Sequence, residues 1–257
     1  MKFERPRMKF GKTAPRSRSR SSPWGAALVA VLFLITSGLA YQALTRPQVE
    51  PRCTQSNELI TIIGDSYVAG TDMDSGEKSR FPALLHSAIQ TRQQVFGLSG
   101  SGYVTTGPGK RNMTFPEAGK QVTVDSQLVI VYGSRNDSPY DSVPSGDITS
   151  AVTTLADNVR MAAPRARLII VGPSWVNDEV PDRMIENRDA IKRGAERAHV
   201  EFVDPIEDGW FAKRSEITDG RNKMIGTDHI HPNDRGHAYL AKKFEKIVAS
   251  NLPCQKV

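Results

Sequence analysis

Residues 59–67 read LITIIGDSY, an apolar run of five residues followed by the tripeptide Gly64-Asp65-Ser66. Such a run, bounded by glycine, is typical of a strand buried on both faces, as in a parallel sheet. A serine beside glycine at a strand end can project its hydroxyl from a tight turn, while its own N–H faces the place where an oxyanion would form. Alone, the tripeptide is more often an ordinary turn or helix N-cap, so its meaning depends on the residues at the ends of the other strands.

Four more short apolar runs come after the first, and helical patterns separate them. Strands that alternate with helices predict βαβ units and a parallel sheet covered on both faces. We therefore predict an α/β domain with a five-stranded, doubly wound sheet. The other strand candidates are Gln94–Leu98, Leu128–Tyr132, Leu168–Val171 and Val200–Val203. The helix candidates are Arg80–Gln90, one with the apolar face Val152, Leu155, Ala156 and Val159, one with the face Met184, Ile191, Ala195 and Ala198, and a last helix from Asn233 or Asp234.

A second motif, residues 226–233 (GTDHIHPN), precedes the last predicted helix. Asp228 and His231 are three residues apart in a turn, so the carboxylate can bond one imidazole nitrogen and leave the other for a serine. Two other readings are a capping Asp beside a surface His and a metal cluster of Asp228, His229 and His231. No further pattern of ligand spacing favours a metal, and we predict no metal site.

Two further strand ends carry groups that suit an oxyanion. Residues 99–103 (SGSGY) come after the second strand, and their glycines let the main chain approach a ligand and offer N–H donors. Residues 133–137 (GSRND) come after the third strand, where the Asn136 amide is another candidate donor. In open α/β sheets, sites lie outside the carboxyl ends of the strands. Four such segments at four junctions favour one catalytic site over coincidence.

Together these blocks resemble the SGNH hydrolase superfamily, the GDSL-like lipases and esterases, from Leu59 to about Leu252. The resemblance implies a flavodoxin-like three-layer α/β/α sandwich and an acyl-enzyme mechanism that needs no cofactor. Carried over by motif, it makes Ser66 the nucleophile, His231 its base, Asp228 the partner of that base, and Ser66, Gly100 and Asn136 the oxyanion donors.

This chain departs from the family pattern at one block. Members usually have Gly-x-Asn-Asp, whereas Ser134 stands here two residues before Asn136, with Gly133 one place earlier. Gly102 is a rival of Gly100, and His229 is a weaker rival of His231 because only His231 keeps the three-residue offset from the aspartate.

The resemblance also directs the choice of substrate. Similar family members act on acetylated sugars, short-chain esters and lipids, so we expect a small ester or an acylated glycan or lipid. Tyr103, Trp175 and the loop from Gly107 to Gly119 are candidates to line the pocket, although Trp175 equally fits plain packing. An acyltransferase would use the same catalytic residues, and a non-catalytic anchored binding domain is a third reading.

The N-terminal segment predicts export. Residues 1–23 carry eight Lys or Arg and one acidic residue, a charge of +7, so the remainder of the +6 chain is −1. The folded part therefore lacks the positive charge that nucleic-acid binding requires. Residues 24–44 (WGAALVAVLFLITSGLAYQAL) contain no charged side chain, and as a helix they would span about 30 Å, the thickness of a bilayer core. The basic flank predicts a cytoplasmic N-terminus and an external domain.

We accordingly divide the chain into a basic disordered tail (1–23), a transmembrane helix (24–44), a linker (45–57) and a hydrolase domain (58–257). The alternative is a signal peptide cleaved near Ala40. The two cysteines, Cys53 and Cys254, bracket the domain. In an oxidising compartment we expect them to form a disulfide, because domain termini often lie close together.

Overall fold

The computed structural model describes residues 58–71, 75–109, 113–138, 143–212 and 223–252, all within the compact unit Pro51–Val257. The predicted tail, transmembrane helix and linker, and the predicted Cys53–Cys254 disulfide, lie outside these ranges. Within these ranges, none of the helices combines the length and apolarity that a membrane span needs.

Five strands form one sheet in the order β2-β1-β3-β4-β5. Each neighbouring pair runs parallel, which confirms the predicted five-stranded parallel sheet. The strands are β1 (Leu59–Gly64), β2 (Arg92–Gly97), β3 (Ser126–Tyr132), β4 (Arg167–Val171) and β5 (Glu201–Val203).

Six α-helices connect and cover the strands in the described residues. The last one begins where the sequence predicts: the side chain of Asn233 accepts hydrogen bonds from the N–H groups of Arg235 and Gly236, each at 3.1 Å. No sequence pattern indicated α3, because a helix of one turn is too short to show apolar periodicity. The helices are α1 (Ser66–Ala69), α2 (Phe81–Ile89), α3 (Phe115–Gly119), α4 (Ser145–Ala162), α5 (Asp182–Arg197) and α6 (Asp234–Asn251), with 3₁₀ turns at Glu77–Ser79 and Arg135–Asp137.

The sheet is packed on both faces, which explains why its central strands are uninterrupted apolar runs. Along β1, Ile60 and Ile62 join a core cluster with α2 and α6, whereas Ile63 joins a second cluster with α3, α4 and α5. All three isoleucine side chains are completely buried. The architecture is therefore a three-layer α/β/α sandwich.

The strand order determines where a site can form. From β1 the chain first moves outward to β2 and then crosses to β3 on the other side of β1. The connections at the carboxyl ends of β1 and β3 thus diverge and leave a crevice between them. Gly64 at the end of β1 pairs with Tyr132 at the end of β3, so the loops after these two strands start side by side.

Candidate active site

Ser66, His231 and Asp228 form a continuous hydrogen-bonded chain at this edge of the sheet. Ser66 is the first residue of α1, and its Oγ lies 2.8 Å from Nε2 of His231. The Nδ1 atom of His231 lies 2.5 Å from Oδ2 of Asp228. The other carboxylate oxygen, Oδ1, accepts the main-chain N–H groups of Ile230 and His231, each at 2.9 Å. This is the arrangement in which an imidazole can take the proton of a serine hydroxyl.

The turn that carries His231 is held at its base by Gly226, whose N–H donates to the carbonyl of His231 at 2.8 Å. His229 adopts a positive φ of 60°, and its side chain is exposed. Of the two histidines that the sequence left open, only His231 contacts Ser66. Groups of His, Cys, Asp or Glu that could hold a metal are absent from the described residues.

The pKa of Asp228 reflects these contacts. Partial burial favours the neutral carboxyl group, but the hydrogen bonds from the main chain and imidazole of His231 and from the N–H of Ile230 outweigh it and hold the pKa below its ordinary value. Asp228 is therefore an anion at neutral pH, able to orient His231 and to stabilise its charged form.

The aspartate before the nucleophile has a different task. Asp65 is buried, and its carboxylate accepts the N–H of Tyr67 at 3.0 Å and the N–H of Ser134 at 3.0 Å. It thus caps α1 and joins the loop after β1 to the loop after β3. Burial raises its pKa, against the effect of the N–H groups that it accepts.

The candidate oxyanion donors come from three loops. Gly100 has a positive φ of 79°, a conformation that favours glycine. Among the described residues, no group accepts the N–H of Ser66 or of Gly100, so both remain available to a ligand. The N–H of the rival Gly102 donates to the carbonyl of Thr105 at 2.8 Å and is occupied. One N–H of the Asn136 amide donates to the carbonyl of Ser101 at 2.8 Å, and its second N–H has no partner among the described residues.

Asp137 holds two of these loops together. Its carboxylate is buried and accepts the N–H groups of Tyr103 and Thr105, each at 2.7 Å, and of Val104 at 3.3 Å. It also accepts the hydroxyl of Ser134. The sequence indicated Asp137 only as part of a motif and did not reveal that it anchors the glycine loop.

The unusual Ser134 has a local explanation. Its φ is 81°, in the left-handed region. The glycine usual in the family adopts this conformation without strain, whereas a residue with a side chain adopts it at a cost in free energy. The hydroxyl hydrogen bond to Asp137 and the N–H hydrogen bond to Asp65 offset that cost. The serine therefore keeps the loop geometry that places Asn136 beside the glycine loop.

The two predicted pocket residues differ in their surroundings. Tyr103 is only 2% exposed and packs edge-on against Phe115, with 5.2 Å between ring centroids. It is a core residue, unlike the pocket residue that the sequence predicted. Trp175 is partly exposed, and with Val180 and Phe211 it lines a cavity of about 220 Å³.

A second cavity, of about 290 Å³, lies at the end of β2. It is lined by Leu98, Ser99 and Ser101 and by the start of the predicted pocket loop, Gly107 and Pro108. Both cavities are therefore formed by loops at the carboxyl edge of the sheet, the same edge that carries Ser66.

Sequence reasoning missed Tyr67, the residue after the nucleophile. Its phenol donates a hydrogen bond of 2.5 Å to the carbonyl of Ile230, and its ring centroid lies 5.9 Å from that of His231. It thus joins the nucleophile turn to the loop of the base. Only its position next to Ser66 signalled a role, because a buried tyrosine otherwise looks like core.

Comparison with known proteins gives a consistent picture. The family model "GDSL-like Lipase/Acylhydrolase family" matches residues 62–239. A protein named GDSL lipase from Mycobacterium tuberculosis is 34% identical over 199 residues, which cover 75% of this chain and 82% of that protein.

Two solved structures share the fold at low sequence identity. A carbohydrate acetylesterase from Sinorhizobium meliloti superposes with a TM-score of 0.57 at 17% identity, covering 76% of this chain and 100% of the other. A protein from Lactobacillus plantarum superposes with a TM-score of 0.60 at 18% identity, covering 76% and 98%. These two likenesses support the three-layer fold.

Proposed function

Because this chain belongs to the GDSL-like lipase/acylhydrolase family, we propose that it is a serine esterase that hydrolyses O-acyl esters outside the cytoplasm. One observation carries the proposal: the Oγ of Ser66 lies 2.8 Å from Nε2 of His231, whose Nδ1 lies 2.5 Å from Asp228. Family membership supports a hydrolase of the GDSL-type esterase/acylhydrolase class, and the geometry supports the assignment of the reaction to these three residues.

The first half of the reaction forms an acyl-enzyme. The Ser66 oxygen attacks the ester carbonyl while His231 Nε2 takes the hydroxyl proton, and the carbonyl oxygen becomes an oxyanion. When the tetrahedral intermediate collapses, the bond to the alcohol oxygen breaks and His231 returns the proton to that alcohol. Asp228 keeps Nδ1–H oriented and stabilises the imidazolium without taking its proton.

The second half repeats these steps with water. His231 removes a proton from the water molecule that attacks the acyl-enzyme, and the carboxylic acid leaves as Ser66 recovers its proton. In both halves the N–H groups of Ser66 and Gly100 and the free N–H of Asn136 stabilise the oxyanion. No cofactor enters these steps.

The substrate is a small ester or an acylated glycan or lipid. Support comes from the structural neighbour named as a carbohydrate acetylesterase and from the partly exposed Trp175 beside a cavity of about 220 Å³. Flat apolar rings such as this indole are well suited to pack against an acyl chain or a sugar.

The extracytoplasmic location rests on the charge pattern of residues 1–44, a +7 flank before an uncharged run of 21 residues. A membrane-bound protein with its N-terminus inside should lose its domain to protease added to intact cells. A soluble form that begins near Tyr41 would instead show that the segment is a cleaved signal peptide. Peptide mapping without reductant should recover Cys53 linked to Cys254.

The test of the reaction uses p-nitrophenyl acetate and a fluorophosphonate probe. Wild type should hydrolyse the ester and carry the probe on Ser66, and Ser66→Ala should do neither. Ser87→Ala, which removes an exposed hydroxyl from α2, is the matched control and should behave as wild type. Full activity in Ser66→Ala would overturn the proposed function. Added sugar acceptors that capture the acyl group in preference to water would make the protein an acyltransferase instead.

A further inference from the structure

Arg135 lies beside the active site, and its guanidinium stacks on an aromatic ring. Its Cζ atom is 4.4 Å from the centroid of the Trp175 ring. That ring is itself held in place, because the indole N–H donates to the Asn177 side chain at 2.9 Å and to the Glu179 carbonyl at 3.0 Å. A guanidinium stacked on a ring keeps the N–H groups along its edge free for a planar partner.

Arg135 is next to the oxyanion candidate in the chain and is linked to the other two parts of the catalytic centre through Tyr67. It directly precedes the oxyanion candidate Asn136. It also acts on the phenol of Tyr67: burial raises the pKa of that phenol, and both the charge of the guanidinium and a hydrogen bond from it to the phenol oppose the rise, so part of the guanidinium edge is engaged by Tyr67. Tyr67 comes directly after the nucleophile, and its hydroxyl bonds the carbonyl of Ile230, the residue before the catalytic base.

The charge of Arg135 has no counter-ion among the described residues. No described carboxylate forms a salt bridge with it, whereas Arg188 on α5 lies 2.7 Å from Asp204. Asp65 is engaged by main-chain N–H groups, and Asp228 by His231 and main-chain N–H groups. Asp178 lines the cavity beside Trp175 but forms no salt bridge with Arg135 among the described residues.

One guanidinium nitrogen, Nη1, is buried and has no hydrogen-bond partner among the described residues. Arg135 as a whole is only partly buried, and a partly buried cation without a counter-ion loses some hydration, a cost that stacking only partly offsets. Such a charge next to a catalytic centre fits an anionic partner that arrives with the substrate.

We propose that Arg135 is a specificity residue that binds a carboxylate carried by the substrate close to the scissile ester. The inference rests on the proposed esterase function and narrows its substrate class to acidic esters. The planar fork of a guanidinium matches a carboxylate with two parallel N–H···O bonds. Trp175 acts as the platform that holds the fork.

The experiment compares acidic esters with their methyl esters, which lack the negative charge, and follows hydrolysis of the aryl ester bond in each. On the acyl side, p-nitrophenyl hemisuccinate is compared with p-nitrophenyl methyl succinate. On the alcohol side, 4-acetoxybenzoate is compared with its methyl ester. The measured quantity is the ratio of kcat/KM for the acidic ester to kcat/KM for the neutral one, in wild type, Arg135→Gln, Arg135→Lys and the control Arg165→Gln. Arg165 is exposed, so the control removes the same net charge elsewhere.

In Arg135→Gln the ratio should fall by about 10- to 100-fold for one of the two pairs, the usual scale for a hydrogen bond to a charged group. The lower kcat/KM for the acidic ester should result mainly from a higher KM. Arg135→Lys should recover part of the ratio, because the charge remains while the planar fork is lost. Arg165→Gln should leave the ratio unchanged. The affected pair identifies the side of the ester that carries the carboxylate.

Two results would overturn the inference while leaving the esterase function intact. In one, the ratio stays at its wild-type value for both pairs. In the other, Arg135→Gln loses the same factor on acidic and neutral esters, so that Arg135 acts on the oxyanion or on the fold. Absence of hydrolysis of every ester, acidic and neutral, by wild type would instead refute the esterase function itself.

Should Arg135→Gln fail to fold, wild type alone decides the matter. Raising the ionic strength from about 0.05 to 0.5 M screens the partly exposed charge of Arg135 and should raise KM for the acidic ester of one of the two pairs but not for its methyl ester. Equal salt dependence of the two KM values would contradict the inference.

Discussion

Lowering the pH from 7 to 4 should destabilise the domain through His237, a buried histidine on α6. Its ring is fully buried and stacks on Phe81 with 6.3 Å between centroids. Its Nδ1 atom accepts the main-chain N–H of Phe81 at 3.2 Å, so the ring proton is on Nε2, which is buried without a partner among the described residues. Protonation would bury a charge and turn Nδ1 into a donor that faces another donor.

Burial lowers the pKa of His237 from 6.5 to about 4, with the nearby charge of Asp234 opposing the shift and that of His231 adding to it. Between these two pKa values the unfolded chain holds a proton that the native chain does not, so stability falls as the pH falls. Proton linkage gives a loss of about 2 kcal/mol at pH 5 and about 3 kcal/mol at pH 4 relative to neutral pH. Below the native pKa both states are protonated and the loss levels off.

The assay is urea denaturation at pH 7, 6, 5 and 4, monitored by circular dichroism, for wild type and His237→Asn. The asparagine oxygen can still accept the N–H of Phe81 but does not titrate. The variant should be less stable than wild type at pH 7, because it leaves part of the imidazole volume empty. Its unfolding free energy should fall by about 3 kcal/mol less than that of wild type on going to pH 4. Parallel curves for the two proteins would refute the reasoning.

The remaining predictions concern the catalytic residues and use steady-state hydrolysis of a short-chain p-nitrophenyl ester, with circular dichroism as a check on folding. Ser66→Ala and His231→Ala should each nearly abolish turnover, and the double variant should be hardly worse than either, because the two residues act as a unit; additive losses would contradict this. Asn136→Ala should lower kcat by about 100- to 1000-fold, and full activity would move the third oxyanion donor elsewhere in the loop. Asp228→Asn should lose no more than the Ser66 variant, because the carboxylate orients the base without taking its proton. Asp137→Asn should lower both kcat and the free energy of unfolding, the latter by about 1 to 3 kcal/mol; an unchanged melting temperature would show that the glycine loop does not depend on this carboxylate.

Much of the fold was predictable because hydrophobic periodicity is local. The run Leu59–Ile63 and its four counterparts lie in the five observed strands, with boundaries shifted by one or two residues at most ends. The strand order is not local. The sequence of β3 does not predict that this strand lies beside β1. Their pairing, with Gly64 opposite Tyr132, brings the serine loop next to the asparagine loop.

The candidate site likewise has a part that the sequence predicted and a part that it did not. The pairing of Asp228 with His231 was predictable because three residues separate them and one turn can close that offset. Ser66 lies 165 residues from His231, and only its place at a strand end and the family resemblance predicted that the two would meet. The surroundings of Tyr103 and Asp137 were not predictable from the sequence. Tyr103 packs in the core against Phe115, and Asp137 anchors a loop 32 to 34 residues away in the chain. Burial and long-range hydrogen bonds depend on which loops meet.

By itself, therefore, the sequence determined which chemical groups this protein carries and after which strand each of them comes. The tertiary structure alone decided which of those groups are free to act. It left the N–H of Gly100 available while occupying that of Gly102, and it turned His231 rather than His229 toward Ser66. It also set Arg135 on Trp175 without a carboxylate partner among the described residues. The physical reason is that a hydrogen bond or a buried charge depends on two or more groups in space. Their relative positions are defined only once the whole domain has folded.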